Sequence, residues 1–287
     1  MNVLLMQTLH LQQREFIWGD HGVLPIAWSS TFLSVTGLPS LYNVGDETFH
    51  AALYCIGIFV SALFVVGVYS RAVSIVFYIM TMSLFARNTV LLDGGDNLLE
   101  LIAFWMMFLN LSGRETTGSV GSSPKRRGAL TALLHNLAIV AIVGQVSLVY
   151  FTSAWSKMMG HKWQDGTAIY YILRTSEFNL SPIASFIYHN DYLVTLLTYG
   201  TLVLQIGFPF VIWHRTLKYP WILGACAFHL AIGYFMGLIW FSFTLISCEF
   251  ILISDSAYLA AARLTRFLWT AGRSWAHERS ESAAVGR

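Results

Sequence analysis

Long apolar segments recur along this chain from one end to the other. A helix needs about 20 residues to cross the hydrocarbon core of a bilayer. Charged residues make up 11% of the 287 residues, less than half of the about 25% that soluble domains carry. The candidate spans are 49–69, 72–91, 96–111, 129–155, 192–213, 219–237 and 238–255. Because the last two are nearly continuous, we predict an all-α polytopic transmembrane helix bundle with six to seven spans.

The chain is predicted to hold one membrane domain, residues 1–255, and a cytoplasmic basic amphipathic tail, residues 256–287. Residues 1–12 are apolar but too short to span, so we expect them to be the second half of a first helix that starts upstream. Residues 13–48 predict a loop, and 156–190 predict a packed loop or an interfacial helix. The tail suits a helix lying on an anionic membrane surface. Its alternating basic and apolar residues are Arg263, Leu264, Arg266, Phe267, Leu268, Trp269 and Arg273.

Basic residues lie mainly on one side of the predicted topology. If seven spans alternate, 12 of the 17 Lys and Arg residues share the side of loop 112–128 and the tail. They are Arg71, Arg114, Lys125, Arg126, Arg127, Arg215, Lys218, Arg263, Arg266, Arg273, Arg279 and Arg287. Cytoplasmic loops of membrane proteins carry such an excess. We therefore predict a multi-pass plasma-membrane protein whose tail is cytoplasmic and whose segment 156–190 faces outward.

The cysteines and the basic residues argue against several kinds of site. Cys55, Cys226 and Cys248 lie in apolar stretches without paired spacing, which argues against a disulfide framework and against zinc. We predict no metal site. The basic residues flank the spans and form no groove, so we predict no nucleic-acid partner. The partner that the sequence predicts directly is the lipid bilayer.

Ionisable side chains at membrane depth are costly, which makes them functional candidates. Glu100, Glu249 and His229 lie within predicted spans. Asp96 and Glu100 are one turn apart on one helix face, so a proton or a nearby cation must offset their repulsion. Arg87, at the end of the preceding span, is the candidate cation. A structural ion-pair cluster and a functional site are both consistent with this pattern.

The run from Asn88 to Asn97 predicts a turn followed by a helix start. Two glycines separate Asp93 from Asp96 and permit a tight reversal. Asp96 can cap the helix, where its charge meets the positive end of the helix dipole. Capping alone explains the pattern, and a site for an ion or a phosphate is the weaker alternative.

Lys157 lies where the span 129–155 reaches the outer interface, with Trp163 shortly after it. A lysine that snorkels beside an aromatic belt is the commonest explanation of such a position. The functional alternative is a partly desolvated lysine, which gives up its proton more easily and acts as a base. Lys162 lies beyond Gly160, further from the apolar span, and is predicted to be an interfacial anchor.

Several motifs in a fixed order resemble the HTTM (horizontally transferred transmembrane) domain family, over most of residues 20–255. They are Gly-Val-Leu-Pro at 22–25, the turn at 88–99, the segment 150–166, Leu-Gln-Ile-Gly-Phe-Pro at 204–209 and Phe-His-Leu at 228–230. The family includes the vitamin K-dependent γ-glutamyl carboxylase. The resemblance implies that Lys157 is a catalytic base that deprotonates a reduced quinone or another lipid-soluble substrate at the outer face.

Two departures from the carboxylase argue against glutamate carboxylation here. The carboxylase has a histidine in the region matching 95–97, where this chain has none, and only the basic tail follows the membrane part in this sequence. An alternative hypothesis rests on a similarity in size and layout to sporulation-delaying protein B. It implies an accessory protein for maturation or export of a secreted peptide toxin. The partner is then a secreted peptide, whereas a split enzyme requires a separate soluble outer domain. A small-solute transporter ranks last, because no internal repeat is visible.

Overall fold

The structure, a computed structural model, describes residues 1–37, 40–68, 71–109, 128–176, 183–263, 265–266 and 269–270. Regular structure in these residues is helical, so the all-α prediction is confirmed. The helices are α1 (Asn2–Leu9), α2 (Arg14–Trp18), α3 (Ile26–Thr36), α4 (Glu47–Val65), α5 (Arg71–Arg87), α6 (Gly94–Met106), α7 (Ala129–Met158), α8 (His161–Gln164), α9 (Ala168–Arg174), α10 (Ala184–Tyr188), α11 (Asp191–Val211), α12 (Lys218–Met236) and α13 (Ile239–Ile251). A further helical segment covers Asp255–Arg263.

Four helices are long and apolar enough to cross a membrane, namely α4, α7, α11 and α12. The broken pair of α13 and Asp255–Arg263 would add a fifth. Helix α5 has 17 residues and α6 has 13. At 1.5 Å per residue they measure about 26 and about 20 Å, short of a hydrocarbon core of about 30 Å. Six to seven spans are therefore not confirmed. The turn between α5 and α6 shortens both helices. Hydropathy alone does not reveal this effect.

Helix α7 has one face inside the protein and one face outside. The inward residues repeat every four positions: Ala138, Ile142, Val146, Tyr150 and Ala154. The outward residues are large and apolar, and they include Leu133, Leu137, Val140, Leu148 and Trp155. Only 22% of its spanning window is buried inside the protein, and the other three spans are buried by 17 to 33%. Apolar helices with so much outward surface suit a bilayer, because water would penalise that exposure.

The N-terminal helix α1 packs on α4 through a buried glutamine. Gln7 is 1% exposed, and its carbonyl oxygen accepts a hydrogen bond of 2.8 Å from the Tyr54 hydroxyl. The Ser61 hydroxyl donates to Gln7 Oε1 over 3.2 Å. A Cβ at Gly57 would lie 2.7 Å from Gln7 Nε2, so glycine is what permits this approach. Helix α1 is therefore anchored to the rest of the protein by specific polar contacts.

The loop predicted for residues 13–48 is wrong in part, because α2 and α3 lie within it. An apolar run forms α3, and Gly37, with φ of 70°, ends it in the left-handed conformation that glycine favours. The predicted packed segment 156–190 contains α8, α9 and α10. Its described part is fastened to α11 by two hydrogen bonds. Tyr199 donates to the carbonyl of Gln164 over 2.9 Å, and the Ile169 amide donates to Thr198 Oγ1 over 3.3 Å.

The chain divides into two compact units, Met1–Cys248 and Glu249–Arg287. The predicted tail, which begins at residue 256, falls within the second unit. In that unit the Tyr258 hydroxyl donates to the carbonyl of Phe250 over 2.7 Å. Four residues of the predicted amphipathic pattern lie outside the described residues: Leu264, Phe267, Leu268 and Arg273.

Candidate functional site

A cavity of about 220 Å³ lies between α7, α11, α12 and α13, with residues of α8 and α9 also lining it. We call it the lysine cavity. Most of its lining is aliphatic or aromatic, and its polar side chains are Tyr150, Ser153, Lys157, Trp163, Thr201, Gln205 and His229. Ligand sites of drug size measure about 300–1,000 Å³. This cavity therefore suits one ring or a small head group, not an entire lipid.

Lys157 reaches the cavity because α7 places one residue per turn on the same face. Val149, Ser153 and Lys157 are four residues apart and all line the cavity. The Lys157 ammonium or amine donates to Ser153 Oγ over 2.5 Å. Its Nζ also lies 5.6 Å from the centre of the Trp163 ring. Lys157 is thus half-buried and contacts Ser153 and Trp163, whereas a snorkelling lysine would extend into solvent.

Tyr150 and His229 form a buried polar pair in the wall of the cavity. The tyrosine hydroxyl and His229 Nε2 share a hydrogen bond of 2.9 Å between α7 and α12. Tyr150 is 2% exposed and His229 is 3% exposed. The Tyr150 ring stacks on Phe208 of α11 with 3.9 Å between ring centres and 5° between planes. This contact restricts movement of the tyrosine ring in the cavity wall.

Helix α11 contributes Thr201 and Gln205, one turn apart, to the same cavity. The Thr201 hydroxyl donates to the carbonyl of Leu197 over 2.8 Å, as it can within its own helix. Gln205 is 5% exposed, and within the described part of the chain its Oε1 has no hydrogen-bond partner. An unsatisfied buried acceptor costs about 1–3 kcal/mol. Gln205 therefore retains an acceptor that a bound molecule could satisfy.

The motif at 204–209 positions Gln205 by close helix packing. The Trp221 indole of α12 donates to the carbonyl of Leu204 over 2.9 Å. A Cβ at Gly207 would lie 2.3 Å from that indole, so the two helices meet closely only with glycine there. Pro209 lies inside α11 and has no N–H to donate to the Gln205 carbonyl. The turn that carries Gln205 is therefore closely packed against the Trp221 indole of α12, and it has one helical hydrogen bond fewer than a regular turn.

Lys162 differs from Lys157 in position, because it is not among the residues that line the lysine cavity. It is exposed and donates to the Tyr171 hydroxyl over 2.9 Å, with Nζ 4.1 Å from that ring centre. The hydrogen bond to Tyr171 raises the pKa of Lys162, which keeps the ammonium protonated. The Thr167 hydroxyl, hydrogen-bonded to the nearby Asp165, lowers the pKa of that carboxyl. Both groups therefore stay charged at neutral pH.

Arg87 does not form the predicted charge cluster with Asp96 and Glu100. Arg87 takes part neither in the ion pair Arg14–Glu15 nor in the contact of 3.1 Å between His50 Nδ1 and Asp20 Oδ1. Arg87 is fully buried, and its guanidinium donates to the carbonyls of Leu24 and Gly19 over 2.8 and 2.6 Å. The segment between α2 and α3 folds back over the end of α5 and accepts hydrogen bonds from both terminal nitrogens of the guanidinium, which the sequence spacing did not indicate.

Asn88, Asp93 and Asp96 do come together, in a second cavity of about 250 Å³ that we call the acidic cavity. Asp93 caps α6: its Oδ1 accepts from the amides of Gly95 and Asp96, while Asp96 Oδ2 accepts from the Asp93 amide. The predicted capping role of Asp96 thus belongs to a reciprocal capping box. The Asn88 Nδ2 group donates to the carbonyl of Ile17 over 2.7 Å.

Two further predicted residues, Glu100 and Glu249, are not among the described residues that line the two cavities. Glu100 is half-buried, one turn beyond Asp96 on α6, and it lines neither cavity. Glu249 is fully buried in the second unit. Within the described residues, no group of three or more His, Cys, Asp and Glu side chains is arranged to hold a metal ion.

Sequence reasoning missed Tyr150, Ser153, Thr201 and Gln205 as site residues. A signal was present for each pair. Ser153 precedes Lys157 by one turn, and Thr201 precedes Gln205 by one turn in an otherwise apolar helix. Polar residues at this spacing share a helix face. In a helix with so few polar residues, such a face predicts an interior site.

Comparison with known proteins gives limited information on identity. The chain is 29% identical over 163 residues to the uncharacterized protein YitO of Bacillus subtilis strain 168. The match covers 53% of this chain and 49% of YitO, so it spans about half of that relative's length. No protein family and no solved structure matches the chain. The resemblance to the HTTM family therefore stays a prediction, and the function must be argued from the site.

Proposed function

We propose that this chain is an HTTM-type integral membrane protein in which Lys157 acts as a base on a lipid-soluble molecule with an acidic hydroxyl. One observation carries the proposal: the Lys157 amine enters a small, mainly apolar cavity between helices that suit a bilayer. A reduced quinone fits this substrate class, and the resemblance is the reason for naming it. We place the site at the outer side of the plasma membrane, as the distribution of basic residues predicts.

The cavity lining supports a substrate that arrives from lipid. Its walls are apolar side chains such as Val149, Ile232 and Leu245, which favour a ring over a charged solute. A volume of about 220 Å³ accommodates the ring, and an attached isoprenoid chain would extend out between the helices. Apolar surroundings also favour the uncharged form of Lys157, which is the form that can accept a proton.

The proposed step transfers one proton. The O–H bond of the substrate breaks, an N–H bond forms at Lys157 Nζ, and the substrate oxygen keeps the electron pair. Ser153 Oγ, which accepts from Nζ over 2.5 Å, holds the amine in place in both protonation states. The amide of Gln205 is available to bond a second polar group of the substrate.

The first prediction tests whether Lys157 takes the proton or only supplies charge. The purified protein in detergent is titrated at neutral pH with 3-nitrophenol, which is largely un-ionised in water at that pH. We expect the phenolate absorbance band to appear with almost no proton released to a weakly buffered medium. Lys157→Arg should instead release about one proton for each phenolate bound, because a guanidinium stays protonated.

Two controls complete this experiment. Lys157→Ala should bind 3-nitrophenol at least about tenfold more weakly, as expected for loss of a charge-assisted hydrogen bond. Lys162→Ala, which removes an exposed lysine outside the cavity, should bind it like the unmodified protein. If the unmodified protein also releases one proton per bound phenolate, only positive charge matters and the base proposal is rejected.

The accessory role in maturation or export of a secreted peptide is the alternative proposal. It requires no proton transfer at Lys157, so the same titration separates the two proposals. A neighbouring gene for a small secreted peptide would favour the accessory role. A neighbouring gene for a soluble outer domain would favour an enzyme split into two chains.

A further inference from the structure

The acidic cavity lies among α1, α2, α5, α6 and α13 and has a polar composition opposite to that of the lysine cavity. The side chains that matter for the argument are His10, Trp18, Asn88, Asp93, Asp96 and Trp240. None of the described residues that line it is Lys or Arg. A cavity of about 250 Å³ with two carboxylates, and with neither Lys nor Arg among its described lining residues, favours a positively charged occupant.

Asn88 gives independent evidence for a ligand that donates hydrogen bonds. The side chain is 1% exposed and lines the cavity. Its Nδ2 is used by the carbonyl of Ile17, which fixes the amide orientation. Its Oδ1 is buried and has no hydrogen-bond partner among the residues that the structure describes. Because an unsatisfied buried acceptor is costly, a donor in the cavity would lower the free energy of this site.

The carboxylates have acceptor capacity left after capping. The capping box uses Oδ1 of Asp93 and Oδ2 of Asp96, both for backbone amides. Each ionised carboxylate has about four lone-pair sites on two oxygens. The second oxygen of each can therefore accept from a ligand without disturbing the helix start. Three acceptors, two of them charged, thus line one cavity.

The aromatic walls and the volume of the cavity favour an organic cation over a metal ion. Trp18, Trp240 and His10 line it, and the His10 ring lies 5.8 Å from Trp240 and 6.4 Å from Trp18, measured between ring centres. Aromatic faces attract organic cations by about 0.5–2 kcal/mol. One water occupies about 30 Å³ of liquid, so a bare ion would leave most of the cavity unfilled.

We propose that the acidic cavity binds a primary ammonium group, carried by a lipid head group or by a free amine. The three N–H bonds of such a group match Asp93, Asp96 and Asn88, and the aromatic walls receive the adjoining carbon atoms. A quaternary ammonium has the charge but no N–H donor, so it leaves the Asn88 acceptor unsatisfied. The cavity is therefore selective for the primary amine.

The experiment measures binding of butylammonium to the purified protein by titration calorimetry in an uncharged detergent. Butylammonium is expected to bind, while butanol and butyrate, which match it in chain length, are not. Butyltrimethylammonium should bind at least about fivefold more weakly, as loss of hydrogen bonds to charged acceptors predicts. Equal binding of the primary and quaternary ions would overturn the role of Asn88.

Isosteric amides remove the charge and keep the helix caps. Asparagine caps a helix as well as aspartate does, so Asp93→Asn combined with Asp96→Asn should leave thermal stability nearly unchanged. Binding of butylammonium should fall at least tenfold. The matched control is Asp46→Asn, another N-cap aspartate, which accepts from the Phe49 amide and lies outside the cavity. If the double variant binds butylammonium like the unmodified protein, the proposal fails.

Nanodiscs separate the two sources of the amine. A higher melting temperature in phosphatidylethanolamine than in phosphatidylcholine, lost in the double variant, would assign the site to a lipid head group. Equal melting temperatures together with butylammonium binding would assign it to a free amine. Lys157→Ala should not change either result, so this proposal and the lysine-base proposal fail or succeed separately.

Discussion

The lysine cavity and the acidic cavity share one stretch of α13 and are lined by opposite kinds of ionisable side chain, a lysine in the first and two aspartates in the second. Phe241 lines the first and Trp240, its neighbour in sequence, lines the second. In the predicted topology Asp96, at the start of the span 96–111, and Lys157, just beyond the span 129–155, both lie on the side opposite loop 112–128. The comparison teaches that similar depth does not mean a shared site. Consecutive helix residues point in different directions, so a single helix can separate two chemistries.

The largest effect is expected from Arg87, which tests whether the acidic cavity contains a hidden ion pair. Arg87→Leu leaves two partly buried carbonyls without their guanidinium donor, and each unsatisfied acceptor costs about 1–3 kcal/mol. The free energy of unfolding in mixed micelles should fall by about 2–6 kcal/mol for this reason. Arg71→Leu, at the exposed start of the same helix, should change it by less than about 0.5 kcal/mol.

A double variant separates carbonyl contacts from ion pairing. If Arg87 bonds to carbonyls, adding Asp96→Asn to Arg87→Leu should change stability additively, within about 0.5 kcal/mol. Recovery of stability in the double variant would mean that Arg87 and Asp96 are paired after all. The acidic cavity would then be neutralised by its own protein, and the contrast between the two cavities would disappear.

Gly207→Ala is expected to have an intermediate effect and to act on one cavity only. The added Cβ would meet the Trp221 indole at 2.3 Å, and overpacking of this kind costs about 1–3 kcal/mol. Affinity for 3-nitrophenol should fall as α11 and α12 separate, while affinity for butylammonium stays unchanged. Gly200→Ala, in the same helix with nothing within 4 Å of its Cβ, should stabilise by about 0.5–1 kcal/mol. Loss of both affinities would show that the cavities are one unit.

The smallest effect concerns Gln205 and has opposite signs for binding and stability. Gln205→Leu removes a buried acceptor that has no partner, so stability should be unchanged or rise by up to about 1 kcal/mol. Affinity for 3-nitrophenol should fall about five- to tenfold, as expected for one hydrogen bond. Thermal unfolding and absorbance titration measure the two effects. A fall in stability with unchanged affinity would mean that Gln205 is structural.

The sequence predicted the parts of this fold that depend on local composition. The segments 49–69, 129–155, 192–213 and 219–237 correspond to α4, α7, α11 and α12, the four helices that can cross a membrane. Helix length at 72–91 and 96–111 was overestimated, because a hydropathy window averages over the turn at Asn88–Asp93. The capping box of Asp93 and Asp96 sets the start of α6 after that turn. A hydropathy average contains no information on these hydrogen bonds.

Lys157 and the acids were identified by type and depth, but their partners were not. The Arg87 guanidinium donates to the carbonyls of Leu24 and Gly19, which precede it by 63 and 68 positions in the sequence. No local pattern predicts such a contact. Gln205 was read as part of a motif, although its role depends on Tyr150, Trp221 and Lys157 from two other helices. Contacts between distant segments decide the site, whereas periodicity decides only which face a residue occupies.

Helix α7 is longer than the hydrocarbon core of the bilayer it would cross. Its 30 residues rise about 45 Å, and at a usual tilt of about 20° they still cover about 42 Å along the membrane normal. The hydrocarbon core measures about 30 Å, so about 12 Å of the helix must lie among the lipid head groups. Lys157 lies in the last turn of α7, at one of the two helix ends that can hold this excess length. The proton that we propose Lys157 accepts would then pass directly to interfacial water, and no relay across the bilayer would be required.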